Sequence, residues 1–147
     1  MRDRFLATGT AAFIRSRLTD RLLTDGHAML GVDSLEGYYP RAIKEANHEG
    51  ARANRVFTLR ETNVLDLAAE AASGGPEARC AEGFALADLL RGCACIYHMA
   101  AQAGVRASMG GSFEPYSRDN VQATQLLLEA CVAAGVPKVI HASSSSV

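Results

Sequence analysis

Short apolar runs alternate with longer segments of helical spacing from one end of the 147-residue chain to the other, and nothing else in the sequence constrains its fold as much. A continuous apolar run suits a strand covered on both faces, and parallel strands need a crossover between them, usually a helix. The alternation therefore predicts repeated β-α-β units. Five strands are expected, at Phe5-Leu6-Ala7, Ala28-Met29-Leu30-Gly31-Val32, Val56-Phe57-Thr58-Leu59, Cys93 to Tyr97, and Lys138-Val139-Ile140-His141-Ala142. The first crossover carries Phe13, Ile14, Leu18, Leu22 and Leu23 at helical spacing and stops at Asp25-Gly26-His27. Pro40 is placed to open a second helix through Ala42, Ile43 and Ala46. Ser73-Gly74-Gly75-Pro76 is a breaker, so the next crossover reads as a loop or broken helix followed by a helix over about 81–90. The last helix is expected over 116–134, with Val121, Leu127, Leu128 and Val132 near one stripe, closed by Gly135 and Pro137.

Five strands and four crossovers predict an α/β fold, a doubly wound parallel sheet in the order 3-2-1-4-5, forming one domain over 1–147. A sheet that stops at its fifth strand leaves an apolar edge and face uncovered, so the chain reads as cut short at its C-terminal end.

Composition narrows the function. With 48% hydrophobic residues the chain can bury enough surface to offset the entropy lost on folding, which excludes a disordered chain. A net charge of -1 argues against a nucleic-acid partner. No apolar stretch approaches the roughly 18 to 20 residues of a membrane span, and Met1-Arg2-Asp3-Arg4 leads into no signal-peptide core, so a cytoplasmic protein without a membrane partner is expected. The four cysteines, Cys80, Cys93, Cys95 and Cys131, form no C-x-x-C pair and read as reduced thiols. Cys93 and Cys95 with His98 nearby could be metal ligands, but in an apolar run the two cysteines would share one strand face as small core residues; no metal site is expected.

The turn after the first strand is Thr8-Gly9-Thr10-Ala11-Ala12-Phe13-Ile14-Arg15. A turn that brings backbone amides against a pyrophosphate uses glycines where a β-carbon would obstruct the turn, the ligand or the next strand. Read as G-x-x-G-x-x-G, this segment keeps Gly9 and replaces the others by Ala12 and Arg15. Asp33, at the end of the second run, stands near the spacing of the carboxylate that accepts hydrogen bonds from an adenosine ribose. An acid there also repels a 2′-phosphate, which favours NAD over NADP; the plainer reading is an aspartate that caps a turn.

Thr8-Gly9-x-x-Ala12-Phe13-Ile14, Gly31-Val32-Asp33, Tyr97-His98-Met99-Ala100-Ala101-Gln102-Ala103-Gly104-Val105-Arg106 and Ala142-Ser143-Ser144-Ser145-Ser146-Val147 together resemble the extended short-chain dehydrogenase/reductases. Among these the chain is most similar to the N-terminal part of the NAD-dependent nucleotide-sugar epimerases and dehydratases of the UDP-glucuronate or UDP-glucose 4-epimerase type. The resemblance implies a Rossmann-like domain with NAD as cofactor and a UDP-sugar as substrate partner. It implies that Gly9 and Ala12 belong to the cofactor turn, that Phe13 and Ile14 lie under the pyrophosphate, that Asp33 holds the adenosine ribose and that Asn63 and Val64 flank the adenine. Ala100, Ala101 and Gln102 would line the cofactor cleft, with Asn120 supporting the nicotinamide side, and Ser144 would be the catalytic hydroxyl that holds the sugar. In such enzymes a tyrosine whose pKa is lowered by a lysine removes the sugar proton while hydride passes to NAD, and the resulting ketone turns over before taking the hydride back.

The departures matter as much. The tyrosine and lysine belong to a Tyr-x-x-x-Lys motif that would follow Ser144, and none of Tyr38, Tyr39, Tyr97 and Tyr116 begins one. Ala12 adds a methyl against the pyrophosphate, and Arg15 puts a cation near a positive helix end, either damaging the packing or reaching a phosphate. Asn63 stands where an acid is usual but can still accept a hydrogen bond. His98 reads as structural, and Arg106 as a loop arginine or a ligand for phosphate or carboxylate. Three functions remain in view: an NAD-binding part of an epimerase, inactive alone and completed by a missing part or a homodimer; a non-catalytic NAD sensor; or a non-functional remnant.

Overall fold

The computed structural model describes residues 2–37, 40–71, 82–104, 108–109 and 113–143. In chain order the elements are β1 (Arg4–Thr8), α1 (Phe13–Thr24), β2 (Ala28–Val32), α2 (Arg41–Arg52), β3 (Phe57–Arg60), α3 (Val64–Ala71), α4 (Glu82–Leu90), β4 (Cys93–His98), α5 (Phe113–Tyr116), a π-helical segment (Ser117–Gln122), α6 (Ala123–Ala134) and β5 (Val139–His141). The five strands form one sheet in the order β3-β2-β1-β4-β5, every neighbouring pair parallel, as the alternation predicts. Thr8 pairs with Val32 and His98, Val32 with Arg60, and His98 with His141, so all five strands end in one row. The chain winds outward from β1 to β3, then restarts at β4, and the crevice between the loops leaving β1 and β4 is where such sheets bind ligands.

The three central strands, β1, β2 and β4, are covered on both faces, which is why their runs are apolar, whereas at the edge β5 leaves Ile140 and His141 exposed. On one face Leu6, Leu30, Val32 and Ile96 pack against Leu67 of α3, Leu86 and Leu90 of α4 and Leu127 of α6. Leu6, Leu86, Leu90, Ile96 and Leu127 are at most 1% exposed, and burying each contributes about 1.5 to 3 kcal/mol. On the other face Phe5, Met29 and Phe57 pack with Leu23 of α1 and Ala51 of α2.

Of the two readings of the crossover after β3, the broken helix agrees with the structure: Asn63 accepts the Leu65 amide at 2.9 Å through Oδ1 and caps a helix, α3, that ends at Ala71, before the Ser73-Gly74-Gly75-Pro76 breaker, which lies outside the described residues, and α4 follows it. Four expectations need correction. Cys93 and Cys95 do not share a face. Arg4 pairs with Cys93 but Phe5 with Cys95, and this bulge turns Cys93 to one core and Cys95 to the other. Cys80 lies outside the described residues, and among the described ones no group of three candidate ligands could hold a metal ion.

The other three corrections concern helix faces. α1 turns Ser16, Thr19 and Leu23 inward and leaves Phe13 and Ile14 exposed; the two hydroxyls bond to their own helix, to Phe13 O at 2.9 Å and Arg15 O at 3.0 Å, so small polar residues pack closely without loss. α6 buries Ala123, Leu127, Ala130 and Cys131 while Val121, Leu128 and Val132 face out, because the small-residue stripe lets the helix approach α4 and the sheet more closely. In α2 the expected Ala42, Ile43 and Ala46 are exposed, and Lys44, His48 and Ala51 are buried. No helix among the described residues is long and apolar enough to cross a membrane.

Candidate functional site

The crevice at the strand ends is a cleft of about 240 Å³, lined by Gly9, Ala12 and Arg15 from the first turn, Val32, Asp33, Ser34 and Glu36 after β2, Lys44 of α2, Thr62 to Val64 after β3, Ala100 to Ala103 after β4, and Asp119 and Ala123 beyond. Gly9 turns the chain out of β1 with φ +70°, where a side chain is disfavoured, and its amide donates to the Val32 carbonyl at 2.6 Å. A β-carbon there would also lie 3.0 Å from the Ala100 Cα.

Asp33 organises the β2 wall. Its Oδ2 accepts the Ala11 amide and its Oδ1 the Leu35 amide, each at 2.8 Å, and Lys44 Nζ lies 3.8 Å from Oδ1. The two amides use part of a carboxylate's capacity of about four acceptor positions. The Ala11 carbonyl in turn accepts from Asn47 Nδ2 at 2.9 Å, so Asp33 and α2 hold the glycine turn through the amide and the carbonyl of one residue. This explains the polar part of the inner face of α2, where Lys44 and Asn47 cover the loop, while His48 and Ala51 lie against Phe57 of β3. His48, fully buried one turn beyond Lys44, has its pKa pushed down by burial.

On the β4 wall a chain of hydrogen bonds runs from the sheet to the cleft. The Thr8 hydroxyl lies 2.8 Å from His98 Nδ1 and accepts the Met99 and Ala100 amides at 3.1 and 3.0 Å. His98 Nε2 lies 2.8 Å from the Thr124 hydroxyl, which donates to the Asn120 carbonyl at 2.8 Å. Asn120 then clasps Gln102, accepting its amide at 2.7 Å and donating to its carbonyl at 3.0 Å. Burial first, then the neighbouring charges of His141 and Arg15, lowers the His98 pKa to about 4.

The far end is polar. Asn63 donates to Asp119 Oδ1 at 2.9 Å, Arg118 grips Asp119 at 2.8 and 3.0 Å, and Arg118 reaches Glu36 at 3.4 Å across the cleft. Burial raises the Asp119 pKa, but the hydrogen bonds from Arg118 and Asn63 outweigh it and hold the carboxyl below its usual range.

Of the sequence-derived candidates, Gly9, Ala12, Asp33, Asn63, Val64, Ala100, Ala101 and Gln102 converge on this cleft. Asn120 stands behind it through Gln102, while Phe13 and Ile14 sit exposed at the start of α1 and are not part of its lining. Ser144 and Arg106 lie outside the described residues. Lys44, Asn47, Arg118 and Asp119 went unread as site residues, since polar residues on a helix carry no spacing signal for which way they face.

A family model described as the NAD dependent epimerase/dehydratase family matches residues 5–147. An uncharacterized UDP-glucose epimerase, YtcB, of Bacillus subtilis is 37% identical over 98% of this chain and 40% of its own length. A probable UDP-glucuronate 4-epimerase of Rhizobium meliloti is 32% identical over 98% of this chain and 38% of its own. Among solved structures, the UDP-glucuronic acid 4-epimerase of Bacillus cereus in complex with UDP-glucuronic acid and NAD superimposes with a TM-score of 0.79 at 34% identity, covering 98% of this chain and 41% of that one. The chain thus spans about 40% of the length of the relatives it matches.

Proposed function

Because the chain belongs to the NAD dependent epimerase/dehydratase family, we propose that it is the NAD-binding N-terminal part of a nucleotide-sugar 4-epimerase acting on a UDP-sugar. The observation that carries this reading is Asp33, a buried carboxylate fixed by two backbone amides at the end of β2 and facing the cleft beside the Gly9 turn. A ribose held there puts the pyrophosphate at the start of α1 and the base beyond β2, toward Asn63 and Val64. The residues present fit the adenosine half of NAD. Asp33 keeps acceptor capacity for the ribose hydroxyls, and Asn63 and Asp119 supply polar groups at the far end.

NAD, when bound, would supply the hydride acceptor and donor that inversion at the sugar carbon needs. Asn120 fixes the Gln102 backbone on the β4 side of the cleft, and by the family resemblance Ser144 would be the hydroxyl that holds the sugar. The proton is taken by a Tyr-x-x-x-Lys pair, which residues 1–147 do not contain, so this part does not turn over alone. The exposed stripe of Val121, in the π-helical segment, and Leu128 and Val132 on α6 supports association with the rest of the enzyme or a second copy.

A thermal melt with and without NAD tests the reading. Ligand at about 100 times its dissociation constant stabilises a binder by roughly 2.7 kcal/mol, and a cooperative melt that ignores NAD would overturn it.

A further inference from the structure

The start of α1 carries more positive potential than a helix end offers alone. Its N-cap, Ala12, makes no side-chain cap bond, and the first turn has no acidic residue, so the dipole and the leading amides find no anion within the helix. The third helical residue is instead a cation, Arg15, which adds to the unfavourable charge at that end. Arg15 does not extend into solvent to relieve this. Its guanidinium folds back over the glycine turn, Nη1 donating to the Gly9 carbonyl at 3.1 Å, and it joins Gly9, Ala12 and Ala100 in lining the cleft. The space that a β-carbon on Gly9 would need is filled by this guanidinium and by the Ala100 backbone.

We propose that Arg15 is a diphosphate ligand: its guanidinium gives up the Gly9 carbonyl and forks onto the pyrophosphate of the dinucleotide. This rests on the reading of the cleft as a dinucleotide site and adds the group that holds the phosphates there. A planar guanidinium matches two phosphate oxygens, and its charge replaces the close backbone approach that the missing glycines would have given. Affinity is then carried by the diphosphate. ADP keeps it, adenosine loses it, and added salt weakens it.

The test is calorimetric titration of the whole chain with NAD and with ADP at low and high salt, beside adenosine binding followed by ligand-observed NMR, for the wild type, Arg15→Met and Arg15→Gln. Both variants keep an unbranched stem at a half-exposed helical turn and remove the guanidinium, and unliganded melts show whether each folds. The expected result is a tenfold or greater loss for NAD and ADP in both variants, with adenosine unchanged and the salt dependence flattened. Variants that bind NAD as tightly as the wild type, or more tightly, overturn the proposal and leave the cleft reading standing. A folded wild type that binds neither NAD nor ADP overturns both.

Discussion

The Thr8 hydroxyl and His98 Nδ1 lie 2.8 Å apart at the ends of β1 and β4, and Thr8 decides which nitrogen of His98 carries the proton. The Thr8 oxygen already accepts the Met99 and Ala100 amides, so its own hydrogen must go to Nδ1. Nε2 is then the protonated nitrogen and donates to Thr124, whose hydroxyl passes its hydrogen to the Asn120 carbonyl. Every donor in the row has one acceptor, and neutral His98 is the only form that satisfies it. The geometry gives this histidine a structural task.

A pH dependence of stability follows. The unfolded chain protonates its histidines near pH 6.5, whereas His98 in the fold resists until about pH 4. Between these values the unfolded state binds more protons, so stability is fully present above pH 6.5 and is lost as pH falls toward 4. This one group accounts for about 3 kcal/mol over that interval. His48, also lowered by burial, steepens the same loss. Urea unfolding at pH 7.5 and pH 5 should show it, and equal midpoints would mean that His98 is not held neutral.

Thr8→Val keeps the shape of the residue and removes the hydroxyl. The Met99 and Ala100 amides and His98 Nδ1 lose their partner together, and leaving part-buried groups unpaired costs about 3 kcal/mol. The midpoint of chemical denaturation should fall accordingly. A variant as stable as the wild type would mean that water or a shifted backbone replaces the threonine.

Asp33→Asn separates charge from shape. The amide side chain can still accept one backbone hydrogen, but it loses the charge that faces Lys44 and one acceptor toward a ribose. NAD affinity should drop by tenfold or more, and the preference for NAD over NADP should shrink because the repulsion of a 2′-phosphate is gone. Isothermal titration with both cofactors measures this; an unchanged ratio would remove Asp33 from the site.

How far the sequence revealed these features depends on what signals them. The strands were plain because burial on two faces leaves an uninterrupted apolar run, as in Ala28–Val32, and Asp33 stood out because it ends that run. The bulge that separates Cys93 from Cys95 left no trace, since one extra residue in a ladder changes no residue type. α3 was hidden behind the stronger signal of the Ser73-Gly74-Gly75-Pro76 breaker, although Asn63 followed by Val64 and Leu65 is an ordinary helix start. Lys44, Asn47 and His48 were unreadable as an inner face, because periodicity assumes that a helix packs on apolar strands. Here the first turns of α2 pack on the polar loop they fasten, and the helix meets the sheet further along, at His48 and Ala51.

Gly9 and Ala12 belong to the same turn and should respond oppositely to substitution. Gly9 has φ +70°, a conformation that costs an L-residue roughly 1 to 2 kcal/mol, and a β-carbon there would crowd the Ala100 Cα and the Arg15 guanidinium. Gly9→Ala should therefore destabilise the fold and abolish NAD binding. Ala12 has φ -81° and ψ 155°, extended backbone that any residue adopts, so the only reason for a glycine there is room for a ligand. Ala12→Gly should leave the unfolding free energy within about a few tenths of a kcal/mol of the wild type while tightening NAD binding several-fold. If Ala12→Gly leaves NAD affinity unchanged, the methyl does not touch the pyrophosphate, and the phosphates lie over Arg15 and Gly9 instead of the helix end.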